Sequence, residues 1–259
     1  MKKWLWLFIL GASLVPAAAD WSRAADGAAG TLSVIIAPGP NYIHHHRLLG
    51  VWGLEKTPSM AVWLEHLDGR HAATLRVTYR FASQDWIGEF FTDIHRPECL
   101  PIWRGAHQVQ GVQPESLCLS CHRVQDEGLD MKDFPEVDAV SGATPPDGLA
   151  AAFTLPPGLV PGPYRVRAEL NHSWDYNESY PDGLAESDPV FSAQGGQPSI
   201  LWEGVLILGD EPSAVELQPA GRGEPGGRDS LVHPGLDGLT TARAIAGSIK
   251  ASFSPAPRP

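Results

Sequence analysis

The chain has 259 residues, of which 43% are hydrophobic and 19% charged, with a formal net charge of −11. The apolar fraction can supply a folded core, so the composition excludes a wholly disordered chain. The acidic balance argues against nucleic-acid binding and against docking on anionic lipid, because both need clustered Lys and Arg. The 27 Gly and 24 Pro residues predict many turns and few long helices.

The first 19 residues have the three parts of a secretory signal peptide. Lys2 and Lys3 precede an apolar run over residues 4–15, and residues 17–19 are the small alanines that a signal peptidase accepts. We predict cleavage before Asp20 and a periplasmic protein with no membrane span after cleavage. Loss of the two lysines would bring the net charge from −11 to −13. Because thiols meet oxidising conditions outside the cytoplasm, any pair of cysteines then needs an explanation.

The mature chain is predicted to be mainly β. Residues 20–30 are small and polar and predict a flexible N-terminal lead. Asp68-Gly69 separates two strand-like runs and is a strong hairpin signal. Short strands with regular turns favour an antiparallel immunoglobulin-like β-sandwich over residues 31–209. The strand-like runs cover residues 32–36, 60–67, 73–81, 151–155, 164–170 and 200–208.

The C-terminal part is predicted to be less regular. Residues 210–230 predict a surface loop, and residues 254–259 predict a disordered tail. Within residues 231–253, a short C-terminal helix is predicted over 239–250 from apolar residues at helical spacing. These are Leu239, Ala242, Ile245, Ala246 and Ile249.

The cysteines carry the most specific signal. Cys118-Leu119-Ser120-Cys121-His122 has the C-x-x-C-H spacing of covalent haem c attachment. This chemistry needs two thiols for the two vinyl groups of haem and an adjacent imidazole as the proximal iron ligand. We therefore predict an exported monohaem c-type electron-transfer protein, with Cys118 and Cys121 holding the haem and His122 binding the iron. Met131 is a candidate sixth ligand.

Two other interpretations of the motif stay open. Cys118 and Cys121 would form a disulfide in a cofactor-free binding or accessory module. A metal site is less favoured, because no second C-x-x-C completes a set of four ligands. Cys99 is left over; it would be buried, or paired with a loop cysteine if haem is absent.

Two polar segments each allow a purely structural and a functional interpretation. His44-His45-His46 predicts a solvated loop after Pro38-Gly39-Pro40, with a metal or haem contact as the alternative. The second segment predicts a turn rich in Asx residues, with a ligand or ion site at the rim as the alternative. Its residues are Asn171, His172, Asp175, Tyr176 and Asn177.

The residues 138–144, DAVSGAT, resemble the sequence at which a periplasmic transferase attaches FMN to a threonine. The resemblance implies Thr144 as the acceptor and makes a covalent FMN carrier a second alternative. Pro145-Pro146 follows Thr144, where flavinylated domains usually have another Ser or Thr. The competing interpretation is a turn that leads into the next strand.

Three longer segments, MAVWLEHLDGRHAATLRV, VDAVSGATPP and PGPYRVRAELNHSWDYNESYP, resemble a family of periplasmic domains of unknown function. Genes of that family often lie beside flavin transferases and PepSY-type membrane reductases. The resemblance covers about residues 51–180 and implies an immunoglobulin-like sandwich, with residues 104–137 as an insertion that carries the haem motif. It also implies periplasmic redox proteins or a membrane reductase as partners. We find no nucleophile elbow, zinc-protease motif or phosphate-binding loop, so no enzyme is predicted.

Overall fold

The computed structural model describes residues 28–48, 52–78, 96–106, 140–156 and 158–257. These residues form eleven strands, one short α-helix and one 3₁₀ turn. The strands are β1 (Gly30–Pro38), β2 (His44–Leu48), β3 (Trp52–Lys56), β4 (Ser59–His66), β5 (His71–Thr78), β6 (Val140–Gly142), β7 (Leu149–Thr154), β8 (Gly162–Asn171), β9 (Ile200–Leu208), β10 (Ser213–Arg222) and β11 (Ala246–Pro255). The helix is α1 (Pro101–Ala106), and the 3₁₀ turn covers Thr241–Ala244.

Nine of the strands form one continuous sheet. Its order is β6-β5-β4-β8-β9-β10-β11-β1-β7, while β2 and β3 form a separate hairpin. Eight strands of the large sheet are antiparallel and curve into a nearly barrel-shaped arrangement, and the short β6 adds to β5 in parallel. The mainly β, antiparallel prediction is therefore confirmed. The immunoglobulin-like sandwich is not confirmed, because the described strands join edge to edge into one sheet.

The hairpin predicted at Asp68-Gly69 is confirmed. β4 pairs with β5 in antiparallel register, and the turn lies between His66 and His71. Asp68 accepts a hydrogen bond from the backbone N–H of Arg70 at 3.1 Å, as Asp side chains in tight turns commonly do. Gly69 has φ of +92°, a left-handed conformation that glycine adopts without steric cost.

The main core lies on the inner face of the curved sheet. Alternate residues of β1, namely Leu32, Val34 and Ile36, are buried there, as a period of two requires. On β8 the alternation places Tyr164, Val166, Ala168 and Leu170 in this core. The intervening residues of β8 consequently belong to the outer face of the sheet, where the candidate site is found.

The C-terminal region corrects two predictions. Residues 213–222, predicted within a surface loop, form β10, and the predicted helix over 239–250 is wrong. The 3₁₀ turn occupies only Thr241–Ala244, and β11 then runs between β10 and β1 with paired partners on both sides. Ile249, Ala251 and Phe253 are buried at a period of two. Pairing on both edges overrides a helical pattern that only a few apolar residues supported. The sheet thus continues beyond residue 209, and residues 254–255 belong to a strand.

The connection from β6 to β7 comes close to the backbone of β1. Gly148 has φ of +88°, and a Cβ atom at this position would lie 2.3 Å from the carbonyl oxygen of Ile36. Gly69, with nearly the same φ, has no atom within 4 Å of that position. Comparing substitutions at the two glycines therefore distinguishes the cost of a left-handed backbone from the cost of steric overlap.

We predict that Gly148→Ala lowers the free energy of unfolding clearly more than Gly69→Ala does. Both variants place alanine in a left-handed conformation, at a cost of about 1 kcal/mol. Gly148→Ala must also displace backbone, which adds about 2 kcal/mol. Urea denaturation of both variants measures the difference, and equal losses of stability would contradict the close approach.

Candidate functional site

The predicted haem motif lies outside the described residues. This applies to Cys118, Cys121 and His122, and to Met131. The structure does describe the two points between which this segment is attached. Ala106 ends α1 before it, and Val140 begins β6 after it and pairs with Arg76 on β5.

A buried carboxylate fixes α1 on the outer face of the sheet. Glu169, on β8, accepts hydrogen bonds from the backbone N–H of Trp103 at 2.7 Å and of Ile102 at 3.3 Å. The hydroxyl of Ser199 donates to the same carboxylate at 2.6 Å. Burial raises the pKa of Glu169 to about 7, against the lowering effect of these hydrogen bonds. Glu169 is therefore the polar attachment point of the helix that leads into the haem-motif segment.

Apolar packing completes this attachment. Trp63, Val77 and Leu201 on the outer face of the sheet form a second buried cluster with Ile102 and Trp103 of α1. The indole N–H of Trp103 donates to the hydroxyl of Thr74 at 3.2 Å. Because a Trp buried with its N–H satisfied holds both its position and its orientation, α1 is firmly seated on the sheet.

A pocket opens beside the C-terminal end of α1. Its volume is about 430 Å³, and it lies between α1, the β4–β5 turn and residues 230–232. The name outer pocket is used for it below. Its lining is mixed: the apolar residues are Leu67, Ile102, Ala106, Leu231 and Val232, and the charged ones are Glu65, Asp68, Arg165 and Arg167. Leu67 and Leu231 keep 48% and 66% of their surface exposed. Two large apolar side chains exposed at one pocket form a surface suited to a ligand or partner.

The floor of the outer pocket is an ionic network. Buried Glu65 accepts hydrogen bonds from Arg165 at 3.1 Å and from Arg167 at 3.0 Å. Arg167 also donates to Glu203, through Nε at 3.1 Å and Nη2 at 3.0 Å. Breaking such a network by removing one partner would leave a buried charge uncompensated. The two arginines are thus held in place and both line the pocket.

The outer pocket therefore presents apolar side chains beside two arginines that are already paired with the carboxylates of Glu65 and Glu203. The part of the chain that the structure describes holds no group of three or more His, Cys, Asp or Glu side chains able to bind a metal ion.

Cys99 and Thr144, both singled out in the sequence, do not line the outer pocket. Cys99 is a free, fully buried thiol, and burial raises its pKa well above the usual value. Thr144 is also buried, and its hydroxyl is 2.9 Å from that of Thr78. The turn predicted over residues 141–146 is present in part: Ser141 and Gly142 belong to β6, and Thr144 lies in the connection that leads through a turn into β7.

The histidine run and the polar segment after β8 meet at the rim of the barrel. His44, on β2, lies beside His172 with ring centroids 5.3 Å apart. His172 bonds the backbone carbonyl of Asn41 at 3.0 Å, and Asp175 accepts a hydrogen bond from Thr241 at 2.5 Å. The predicted solvated loop at residues 44–46 is instead part of a strand.

The predicted Asx turn is present in the same segment. The side chain of Asn177 accepts hydrogen bonds from the backbone N–H groups of Ser179 and Tyr180, each at 2.9 Å. This geometry confirms the turn interpretation for Asn177. His172 and Asp175 are buried and serve as links between loops in the described structure.

Sequence reasoning missed Glu65, Arg165, Arg167 and Glu169. For Arg165, Arg167 and Glu169 the signal was the alternation within residues 163–170, PYRVRAEL, which places these three side chains on one face of a strand. A polar face of a strand ordinarily indicates solvent, and the sequence contains no sign that α1 would cover part of it.

Comparisons with known proteins identify no family for this chain. No family model matches the chain, and no curated protein and no solved structure matches it. The resemblance to periplasmic domains therefore depends on the quoted segments alone. Within the described ranges, no helix is long and apolar enough to cross a membrane.

We predict that Glu169→Ala lowers the free energy of unfolding by about 3 kcal/mol, because it leaves two buried N–H groups and a buried hydroxyl without their acceptor. The control is Glu216→Ala, which removes an exposed carboxylate on β10 and should change stability by less than about 0.5 kcal/mol. Chemical denaturation compares the two, and similar effects would show that Glu169 does not anchor α1.

The buried His172 predicts a pH dependence of stability. Burial lowers its pKa to about 4 from the usual 6.5. The unfolded chain therefore takes up this proton at a higher pH than the folded protein. The stability contribution is complete above about pH 6.5 and falls by up to about 3 kcal/mol as the pH approaches 4. His172→Gln should reduce the loss of stability between pH 7 and pH 4.5 relative to the wild type. Identical losses in the two proteins would contradict the assignment.

Proposed function

We propose that this protein is an exported monohaem c-type electron-transfer protein, in which Cys118 and Cys121 hold the haem and His122 is the proximal iron ligand. The observation that carries the proposal is the C-x-x-C-H spacing downstream of a signal-peptide pattern. The antiparallel β scaffold supports it as a rigid body on which such a segment can be mounted. The immunoglobulin-like sandwich and the family resemblance belong to the same proposal.

The residues of this chain have defined chemical tasks in the proposal. Cys118 and Cys121 would hold the haem through thioether bonds to its two vinyl groups, and the imidazole of His122 would bind the iron. A bound haem supplies a one-electron Fe(III)/Fe(II) couple.

The state of Cys99 supports pairing of the motif cysteines with one shared group. A fully buried thiol with a raised pKa is a poor nucleophile for disulfide exchange. This supports pairing of Cys118 with Cys121, either through haem or through a disulfide. The second candidate function, a cofactor-free module with a Cys118–Cys121 disulfide, shares this support and differs in colour and mass.

The placement of Thr144 weighs against a covalent FMN carrier. A flavin transferase must reach the acceptor hydroxyl, yet this hydroxyl is buried and within hydrogen-bonding distance of Thr78. The FMN alternative is kept as an outcome of the experiment below.

The acidic charge supports a particular kind of partner. A net charge of −11, or −13 after loss of Lys2 and Lys3, favours encounter with basic periplasmic redox proteins or a basic face of a membrane reductase. Association of this kind is faster at low ionic strength and slows as salt screens it.

We predict that the protein exported from a host with active haem c maturation gains a haem-sized mass and a Soret band. Cys118→Ala/Cys121→Ala should lose both and keep its fold, as judged by circular dichroism. The matched control is Cys99→Ala, which removes the third cysteine and should keep the haem.

The other outcomes identify the alternatives. A mass equal to that of the polypeptide minus two hydrogens would overturn the proposal in favour of the disulfide module. A flavin-sized increment that disappears in Thr144→Ala would replace haem with FMN.

A further inference from the structure

We infer that the outer face of the sheet over β9, β10, β11 and β1 binds the same face of a second copy of this chain, forming a symmetric dimer. This surface is named the dimer face. Its central residues are Ile35, Val205, Ile207, Ala214, Glu216 and Lys250. Because it lies on scaffold strands away from the haem motif, the inference goes beyond the proposed function and does not depend on it.

The dimer face exposes large apolar side chains. Ile35, Val205 and Ile207 keep 52%, 52% and 51% of their surface exposed. Outward positions of an antiparallel sheet usually carry polar side chains, because they face water. Of the six exposed large apolar residues in the described part of the chain, these three share one face of the sheet. Exposed apolar residues that share a face mark a surface that contacts another molecule.

The strand register places a pair of opposite charges between apolar residues. Glu216 on β10 pairs with Lys250 on β11, and Lys250 pairs with Ile35 on β1. On the other side of β10, the antiparallel register with β9, extended by two residues from Glu203, brings Val205 beside Glu216. One row across four strands therefore reads apolar, acidic, basic and apolar.

The neighbouring row carries no charged side chain. Ala214 pairs with Ser252, and Ser252 pairs with Ser33 on β1. Ile207 adjoins this row on β9, where its carbonyl accepts a hydrogen bond from the hydroxyl of Ser213. Small side chains at the middle of the row let a second sheet approach closely, so the contact can form around the charged pair.

The charged row is complementary to itself. A two-fold axis along the strands between β10 and β11 brings Glu216 opposite Lys250 of the second copy, and Val205 opposite Ile35 of the second copy. Such a contact is isologous, and each of its interactions occurs twice.

The charges of the dimer face also select its occupant. Within one chain the carboxylate of Glu216 and the ammonium of Lys250 are 3.9 Å apart, and their side chains are 55% and 61% exposed. Both groups therefore remain accessible to a second charged partner. A basic protein would be repelled by Lys250 and an acidic one by Glu216, so a surface with the same alternation fits best.

The size and shape of the dimer face predict a weak dimer. The outer side of a curved sheet is convex, so the contact is centred on β10 and β11. Four strands about 4.8 Å apart and two rows about 7 Å apart give a footprint of roughly 300 Å² per copy. Stable interfaces bury about 800 Å² per partner. We therefore expect a dissociation constant on the order of 100 μM, which leaves the protein monomeric in dilute denaturation experiments.

The test exchanges the two charges and measures association by sedimentation velocity up to about 500 μM protein. Glu216→Lys and Lys250→Glu each place like charges opposite one another twice per dimer, so each should weaken association by about tenfold or more. The double variant Glu216→Lys/Lys250→Glu should regain the wild-type affinity. The two single variants change the net charge in opposite directions, so long-range repulsion cannot account for weakening in both.

The apolar contact has a matched control. Ile35→Asp should weaken association by about tenfold or more, because it puts a charge against Val205 of the second copy. Leu67, which is 48% exposed, follows β4, and β4 lies three strands from β10 in the sheet order. Leu67→Asp should therefore leave association unchanged. Ionic strength is kept near the physiological value, where salt screens the repulsion between two acidic chains.

The outcomes separate this inference from the proposed function. A wild type that stays monomeric at about 500 μM would overturn the dimer. Equal association of Ile35→Asp and Leu67→Asp, or a double variant no better than the single ones, would overturn the dimer face. The visible spectrum of the same samples reports haem, so a colourless protein that dimerises as described would lose the proposed function and keep this inference.

Discussion

The carboxylate of Glu169 is the interaction on which the outer face of this protein depends. A buried carboxylate is costly unless its lone pairs are used, and here two backbone N–H groups and one hydroxyl use them. Those N–H groups belong to the first residues of α1, so the same contact that offsets the burial cost also sets the position of the helix. The packing of Trp103 and the opening of the outer pocket both follow from this position.

The two faces of the sheet therefore have different roles. The inner face is a continuous apolar core, built from alternate residues of nearly every strand of the large sheet. The outer face includes a part covered by α1 and a part lined by Glu65, Arg165 and Arg167. Stability thus resides mostly inside, while the surfaces available for contact with other molecules lie outside.

Much of the fold follows from local sequence patterns, and the candidate site does not. The Asp68-Gly69 hairpin, β1 and the central β9 were predicted because alternation and turn residues act over a few positions. β10 was missed because its Pro and Gly residues resemble a loop, although it pairs with its sequence neighbour β9. β11 was missed because one of its partners, β1, lies far away in the sequence, an effect that no local window contains. Glu169 illustrates the same limit, since its partners Trp103 and Ser199 lie 66 and 30 residues away. The haem motif was found from sequence alone because covalent attachment imposes a spacing that is independent of the fold.

The pairing of β1 with β11 has a consequence for the order of folding. The first strand of the large sheet hydrogen-bonds along most of its length to the last, from Gly30 opposite Pro255 to Pro38 opposite Ala246. Contacts of such wide sequence separation form slowly, because a long loop must close before they repay its entropy. The curved sheet cannot be completed until residue 255 has been synthesised. Any chemistry on the middle of the chain that takes place during synthesis therefore meets an open sheet, whose inner and outer faces are still accessible.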